Sequence, residues 1–295
     1  MAEKLLGFFR QSPGKRGFRM VMNGLYGNIC PCCHSLRNAA AEGIEISPEV
    51  IAKVLRDIFE KKFSVKEDID EELYLATLNI FNRASDEGFG RIKTNSPEHD
   101  FLEQIRSNNE VFSAFRTHRM QNDIASQLLD QDGKLKPFRK FQEDVQAIIG
   151  EYNTNWLQTE YDTAVIRAHQ AADWKKFERD SDIMPNLRWM PTTSVEVDEI
   201  HKQYWSIRLT LPINDSFWRR HRPGDRWNCK CSLEQTDEDV TPPDGIPITD
   251  EKPAPGLDNN PGEDGKLFSK THPYIANAYE GAEKAVEEFL KRQRR

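Results

Sequence analysis

A chain of 295 residues, 37% hydrophobic and 30% charged, is long enough for about two domains and a buried core, yet more polar than the globular average. Its formal net charge of -7 argues against a generic nucleic-acid binder, because such binding is driven by phosphate neutralisation; any DNA contact has to come from a local patch. No run approaches the roughly 20 apolar residues of a membrane-spanning helix, Leu5, Leu6, Phe8 and Phe9 make too short an apolar core for a signal peptide, and five cysteines do not make a secreted disulfide framework. The expectation is a soluble cytoplasmic protein with no membrane partner, its thiols reduced or bound to metal.

Residues 1–46 are basic, aromatic and punctuated by glycines, which predicts a flexible basic arm. Residues 47–150 read as a helical region. Ser47-Pro48 supplies a cap and a first-turn proline, and Val50, Ile51, Val54, Leu55, Ile58 and Phe59 recur on one helical face. A second helix is expected from about Asp68 to Gly88, with Ile69, Leu73, Ala76, Ile80 and Ala84 as its stripe. A third is expected over about Glu110–Leu129 through Phe112, Phe115, Ile124 and Leu128. The fourth is opened by Pro137 and carries Phe138, Phe141, Val145, Ile148 and Ile149.

Residues 151–235 read as a small α+β module. A helix from Asn155 carries Trp156, Tyr161, Ala164, Val165, Ala168, Ala171, Ala172 and Trp174, and its alanines allow close approach of a neighbour. Beyond Pro185 the period changes to the near-alternation of half-buried strands in Leu187–Met190, Ser206–Leu211 and Trp227–Leu233, with a short helix around Ser194–Tyr204. The predicted fold class is therefore α+β: a helical N-terminal region, then a long helix against a short antiparallel sheet, then a C-terminal helix. Trp189, Trp205, Trp218 and Trp227, four of the six tryptophans, are the predicted module core. Residues 236–269 are rich in Pro and Gly and lack apolar periodicity, which predicts an extended linker. Residues 270–295 hold the last helix, His272–Arg295, with Ile275, Ala278, Tyr279, Ala282, Val286 and Phe289 on one face and a basic end that suits the helix dipole without invoking DNA.

The order P-x-L-R-W at Pro185–Trp189, a Thr/Ser turn, His201, D-x-F-W at Asp215–Trp218, a Pro/Gly turn and W-N-C-K-C at Trp227–Cys231 resembles the C-terminal half of the Mu F-like minor head proteins of tailed bacteriophages. The helix Asn155–Phe177, with Thr159-Glu160 near its start, resembles the helix that opens that domain, so the match covers roughly Asn153–Glu234. The chain departs from it at Arg222-Pro223-Gly224-Asp225-Arg226, where many relatives carry two prolines. The resemblance implies a structural head morphogenesis (minor capsid) protein of a tailed phage or integrated prophage. It implies partners in the portal protein, other head proteins and double-stranded DNA, and action in procapsid assembly and in DNA packaging or ejection. The implied place is the virion head interior, reached from the host bacterial cytoplasm. The competing readings are a Mu F-domain carrier of an effector or toxin-like enzyme, and a DNA-binding accessory protein. Only about 60 residues follow the module, too few for a separate catalytic domain.

No nucleophile-elbow, zincin, P-loop or dinucleotide-binding pattern occurs in the sequence, so no catalytic residues and no enzyme activity are expected. Cys229 and Cys231, with His201 or His221, are natural Zn²⁺ ligand types, and Cys30, Cys32, Cys33 and His34 are the further source of ligands. Against a metal stand the C-x-C spacing and the sufficiency of four tryptophans to bury a small sheet. The expectation is no cofactor, Cys229 and Cys231 being small core residues and His201 a hydrogen-bonded core histidine. Arg219, Arg220, Arg222 and Arg226, interleaved with Trp218 and Trp227, form a local basic patch suited either to a portal or DNA contact or to Arg-Trp stacking beside Asp215 and Asp225.

Overall fold

The computed structural model describes residues 15–26, 44–92, 94, 96–194 and 197–294. The chain is α+β. Helix α1 (Lys15–Tyr26) is followed by α2 (Pro48–Phe59), α3 (Glu71–Phe89), α4 (Pro97–Ala125) and α5 (Phe138–Gly150), then by a π-helical turn at Glu151–Asn155 that runs directly into α6 (Trp156–Asp180). Three helix starts are set by side-chain caps. Ser47 accepts from the Val50 amide at 3.3 Å, Asp70 from Leu73 at 2.9 Å and Ser96 from His99 at 3.2 Å, each offsetting an orphan donor of the first turn.

Several boundaries differ from the sequence reading, each for a local reason. Helix α4 begins at the Ser96-Pro97 cap rather than near Glu110, because its first turns carry few apolar residues. Gly88 does not end α3, which continues through Phe89. A Cβ at Gly88 would run into the Val165 carbonyl, so the glycine serves the close packing of α3 along α6. Part of the arm is a docked helix: Phe18, Met22 and Tyr26, four residues apart, are all buried on the body. Residues 1–14 and 27–43 of the arm lie outside those described.

The module follows as β1 (Asn186–Met190), α7 (Glu199–Ser206), β2 (Thr210–Pro212), α8 (Phe217–Arg220) and β3 (Ser232–Thr236). β1 lies at the centre of an antiparallel sheet of order β2-β1-β3, with Leu187 opposite Leu211 on one side and Gln235 on the other. Two expected strands are displaced toward the C-terminus. Arg208 takes the left-handed conformation (φ 53°) in the turn before β2, and Asn228 does the same (φ 62°) between Trp227 and Cys229. W-N-C-K-C is therefore a turn leading into β3, not a strand.

Residues 236–269 are extended only in part. Leu257, Leu267 and Phe268 are fully buried in the core of the helical body, and the short helix α9 (Pro261–Asp264) packs on α6. The Arg167 guanidinium, wholly buried on α6, ties this stretch down by donating to the carbonyls of Leu267 (2.6 Å), Gly224 (2.7 Å) and Asn259 (2.9 Å). The final helix is split into α10 (Pro273–Ala276) and α11 (Ala282–Gln293), because Gly281 turns the chain at φ 84°.

At the centre of the body lies an ionic network that the apolar stripes conceal. Glu160 on α6, without solvent exposure, accepts from Arg116 on α4 (2.7 Å), Tyr274 (2.7 Å) and Tyr26 (3.1 Å). His272 Nδ1 accepts from the Tyr274 amide at 3.2 Å, which leaves Nε2 to donate to the Tyr26 hydroxyl at 2.8 Å. Asp123 gathers Tyr279 (2.6 Å), Tyr152 (2.8 Å) and Arg119 (3.2 Å) in the same way. Both ends of the described chain are thereby fastened to α4 and α6.

Candidate metal centre

Asp198 caps α7, its carboxylate accepting from the amides of Ile200 and His201 at 3.0 Å each, and this fixes the turn from which His201 points inward. The imidazole packs against the Trp189 ring at 4.9 Å, and Trp189 in turn stacks on Trp218 at 6.2 Å. His201 Nε2 lies 2.6 Å from Asp225 Oδ1, while Nδ1 faces two sulfurs, Cys229 Sγ at 3.3 Å and Cys231 Sγ at 3.9 Å. The three ligand atoms all lie within 4.8 Å of one another.

The Cys229–Cys231 turn is held from inside: the Cys231 amide donates to Cys229 Sγ at 3.4 Å. A strand would have reached a common face by alternation. Here the left-handed Asn228 and this amide-to-sulfur bond bring the two sulfurs together instead.

These distances suit a tetrahedral ion. Zn–S bonds of about 2.3 Å and Zn–N bonds of about 2.0–2.1 Å put the ligand atoms roughly 3.5–3.8 Å apart, close to the 3.3 and 3.9 Å found here. The Asp225 carboxylate on the second imidazole nitrogen completes the pairing that orients metal-binding histidines and raises their basicity. The centre could therefore hold a metal through His201, Cys229 and Cys231, the ligand types that the sequence also offers.

The electrostatics reinforce the pairing. Burial alone would raise the Asp225 carboxyl, but the hydrogen bond with His201 and the nearby His221 hold it well below the usual carboxylate range. Burial would likewise lower His201, yet the facing Cys229 sulfur and Asp225 hold it up at about 10. Their mutual hydrogen bond pushes the Cys229 thiol up and the Cys231 thiol down.

His201, Cys229 and Cys231 line a cavity of about 530 Å³, with Gly24 and Leu25 of α1, Trp205, Trp227 and the polar side chains of Thr192, Ser194, Asp198, Glu199 and Lys230 around it. The other ligand candidates separate. His221 is not in the ligand group; its Nδ1 lies 3.5 Å from the second Asp225 oxygen. Cys30, Cys32, Cys33 and His34 lie outside the described residues. Asp225 is the member that sequence reasoning missed: it reads as one acid among arginines, and only the fold brings it 24 positions back to His201.

The four tryptophans and four arginines divide as well. Trp189 and Trp218 are buried in the module core and Trp205 is half-buried at its edge, but Trp227 joins the core of the body, 4.7 Å from Tyr26 and stacked on Phe268 at 5.6 Å. Arg219 and Arg220 are exposed. Arg222 is 3% exposed and donates to the carbonyls of Leu257 and Asn259, so it is a fastening for the 236–269 segment and not a contact surface. Arg226 is half-buried, donating to the Lys252 carbonyl beside Glu251. The expected patch is thus reduced to two exposed arginines, because carbonyl groups of a loop distant in sequence claim the other two.

Comparison with protein-family models, curated proteins and solved structures gave no match to this chain.

Proposed function

We propose that this chain is a structural minor head protein of a tailed phage or prophage, acting at the portal in head assembly and in DNA packaging or ejection, with no catalytic residues. The observation that carries the reading is that the residues bearing the resemblance to Mu F-like proteins converge. Trp189 and Trp218 form the module core, and His201, Cys229 and Cys231 meet beside it.

The same reading gives the centre a zinc ion held by His201 Nδ1 and the two sulfurs, with Asp225 orienting the imidazole. Zinc would supply a clamp between α7 and the turn before β3, elements too short to hold each other by burial alone. Elemental analysis of protein purified under reducing conditions is expected to give one zinc per chain, lost in Cys229→Ser.

The functional test is association. The tagged chain is expected in heads from an induced lysogen and in complexes with the co-expressed portal protein, and the double variant Arg219→Glu, Arg220→Glu to weaken that association through like-charge opposition. A wild-type chain absent from both heads and portal complexes would refute the head-protein reading.

A further inference from the structure

We infer that the metal of this centre keeps one coordination position open to the cavity, occupied by water and exchangeable for a small monodentate donor such as imidazole. The inference rests on the zinc reading above and extends it from a clamp to a binding site. Structural zinc sites are closed by four protein ligands, whereas three protein ligands leave a fourth position for solvent or a small molecule. Among the described residues the ligand group has three members. They form the wall of a 530 Å³ cavity and are not sealed within the module core.

The rest of the wall suits a polar donor. Thr192, Ser194, Asp198, Glu199 and Lys230 offer hydrogen-bonding groups, and the rings of Trp205 and Trp227 give a planar donor apolar surface. Two thiolates and a neutral imidazole already cancel the charge of a divalent ion. A neutral fourth ligand is therefore favoured over a third anion, which is why water and imidazole are the donors named.

The test uses the full chain loaded with Co²⁺, whose ligand-field and thiolate charge-transfer bands report on the coordination shell. Imidazole titrated into the loaded protein is expected to shift the ligand-field bands saturably, while the charge-transfer intensity stays that of two thiolates. Val197→Trp, at the exposed rim of the cavity, is expected to keep the metal and lose the imidazole-induced shift. Bands that imidazole does not move overturn the inference. So does a charge-transfer intensity of three or four thiolates that falls when Cys30, Cys32 and Cys33 are replaced by serine. A chain that takes up no metal removes the zinc reading and this inference together; a chain that holds metal in a closed shell removes the inference alone.

Discussion

The helical body and the α+β module solve the same problem with different means. Among the described residues the body buries thirty-nine apolar side chains in one cluster, along helices of up to 29 residues, and can accommodate an ionic network at its centre. The module's own cluster has ten such side chains: Trp174 and Phe177 on the end of α6, and the rest on strands of three to five residues, helices of four and eight, and the turns between them. Its sulfurs and imidazole are gathered at one point. Burial grows with size, so a small unit needs a local fastening where a large one does not.

Metal removal is the largest expected break in this comparison. Structural zinc contributes on the order of 10 kcal/mol in four-ligand peptides, so even a fraction of that exceeds what a small core holds in reserve. A chelator is expected to abolish the near-ultraviolet signal of Trp189 and Trp218 while far-ultraviolet helicity, dominated by the body, largely survives. Loss of both together would show one cooperative unit in place of two regions.

Glu160→Ala should act on the other side. It leaves Arg116 charged and buried and strips acceptors from Tyr26 and Tyr274; breaking a buried pair in this way costs about 3–5 kcal/mol. Urea unfolding of the helical signal should show it, with zinc content unchanged. The tryptophans sharpen the division further. Trp218→Ala should destabilise the module by about 3–5 kcal/mol. Trp227→Ala should instead release α1, exposing the chain near Tyr26 to limited proteolysis before the module unfolds.

A smaller effect separates the regions by pH. Burial, then the charge of Arg116, holds His272 in the body well below its ordinary value, and burial lowers His118 as well. Folded, both resist the protonation that the unfolded chain undergoes below about pH 6.5. Their stabilisation is complete above that pH and is lost as the pH falls, by at most about 1.4 kcal/mol per pH unit for each group. His272→Gln is expected to flatten the slope of the urea midpoint from about pH 7.5 to about pH 5 by one proton's worth. The smallest effect belongs to Arg219→Glu with Arg220→Glu. These side chains are exposed, so stability should change by less than about 0.5 kcal/mol even where partner binding is lost.

What the sequence determined by itself was what short-range physics encodes. The α+β class, the cap at Ser47, the apolar faces of α2 and α3, and the presence of a tryptophan-rich module are all written in spacing, because a helix or strand reads its own neighbours. The tertiary structure alone decided the rest. Arg116, Arg119 and Asp123 look like a polar helix face until α6 and the C-terminal segment supply partners more than 30 positions away. Arg222 looks like surface until the Asn259 carbonyl reaches it, and Leu257 and Phe268 look like linker until the body closes over them. The candidate metal centre lies between these cases. Its ligand types were visible as His201, Cys229 and Cys231. Their convergence depended on a left-handed Asn228 inside a local turn and on Asp225 meeting His201 from 24 positions away, and only the fold supplies the second.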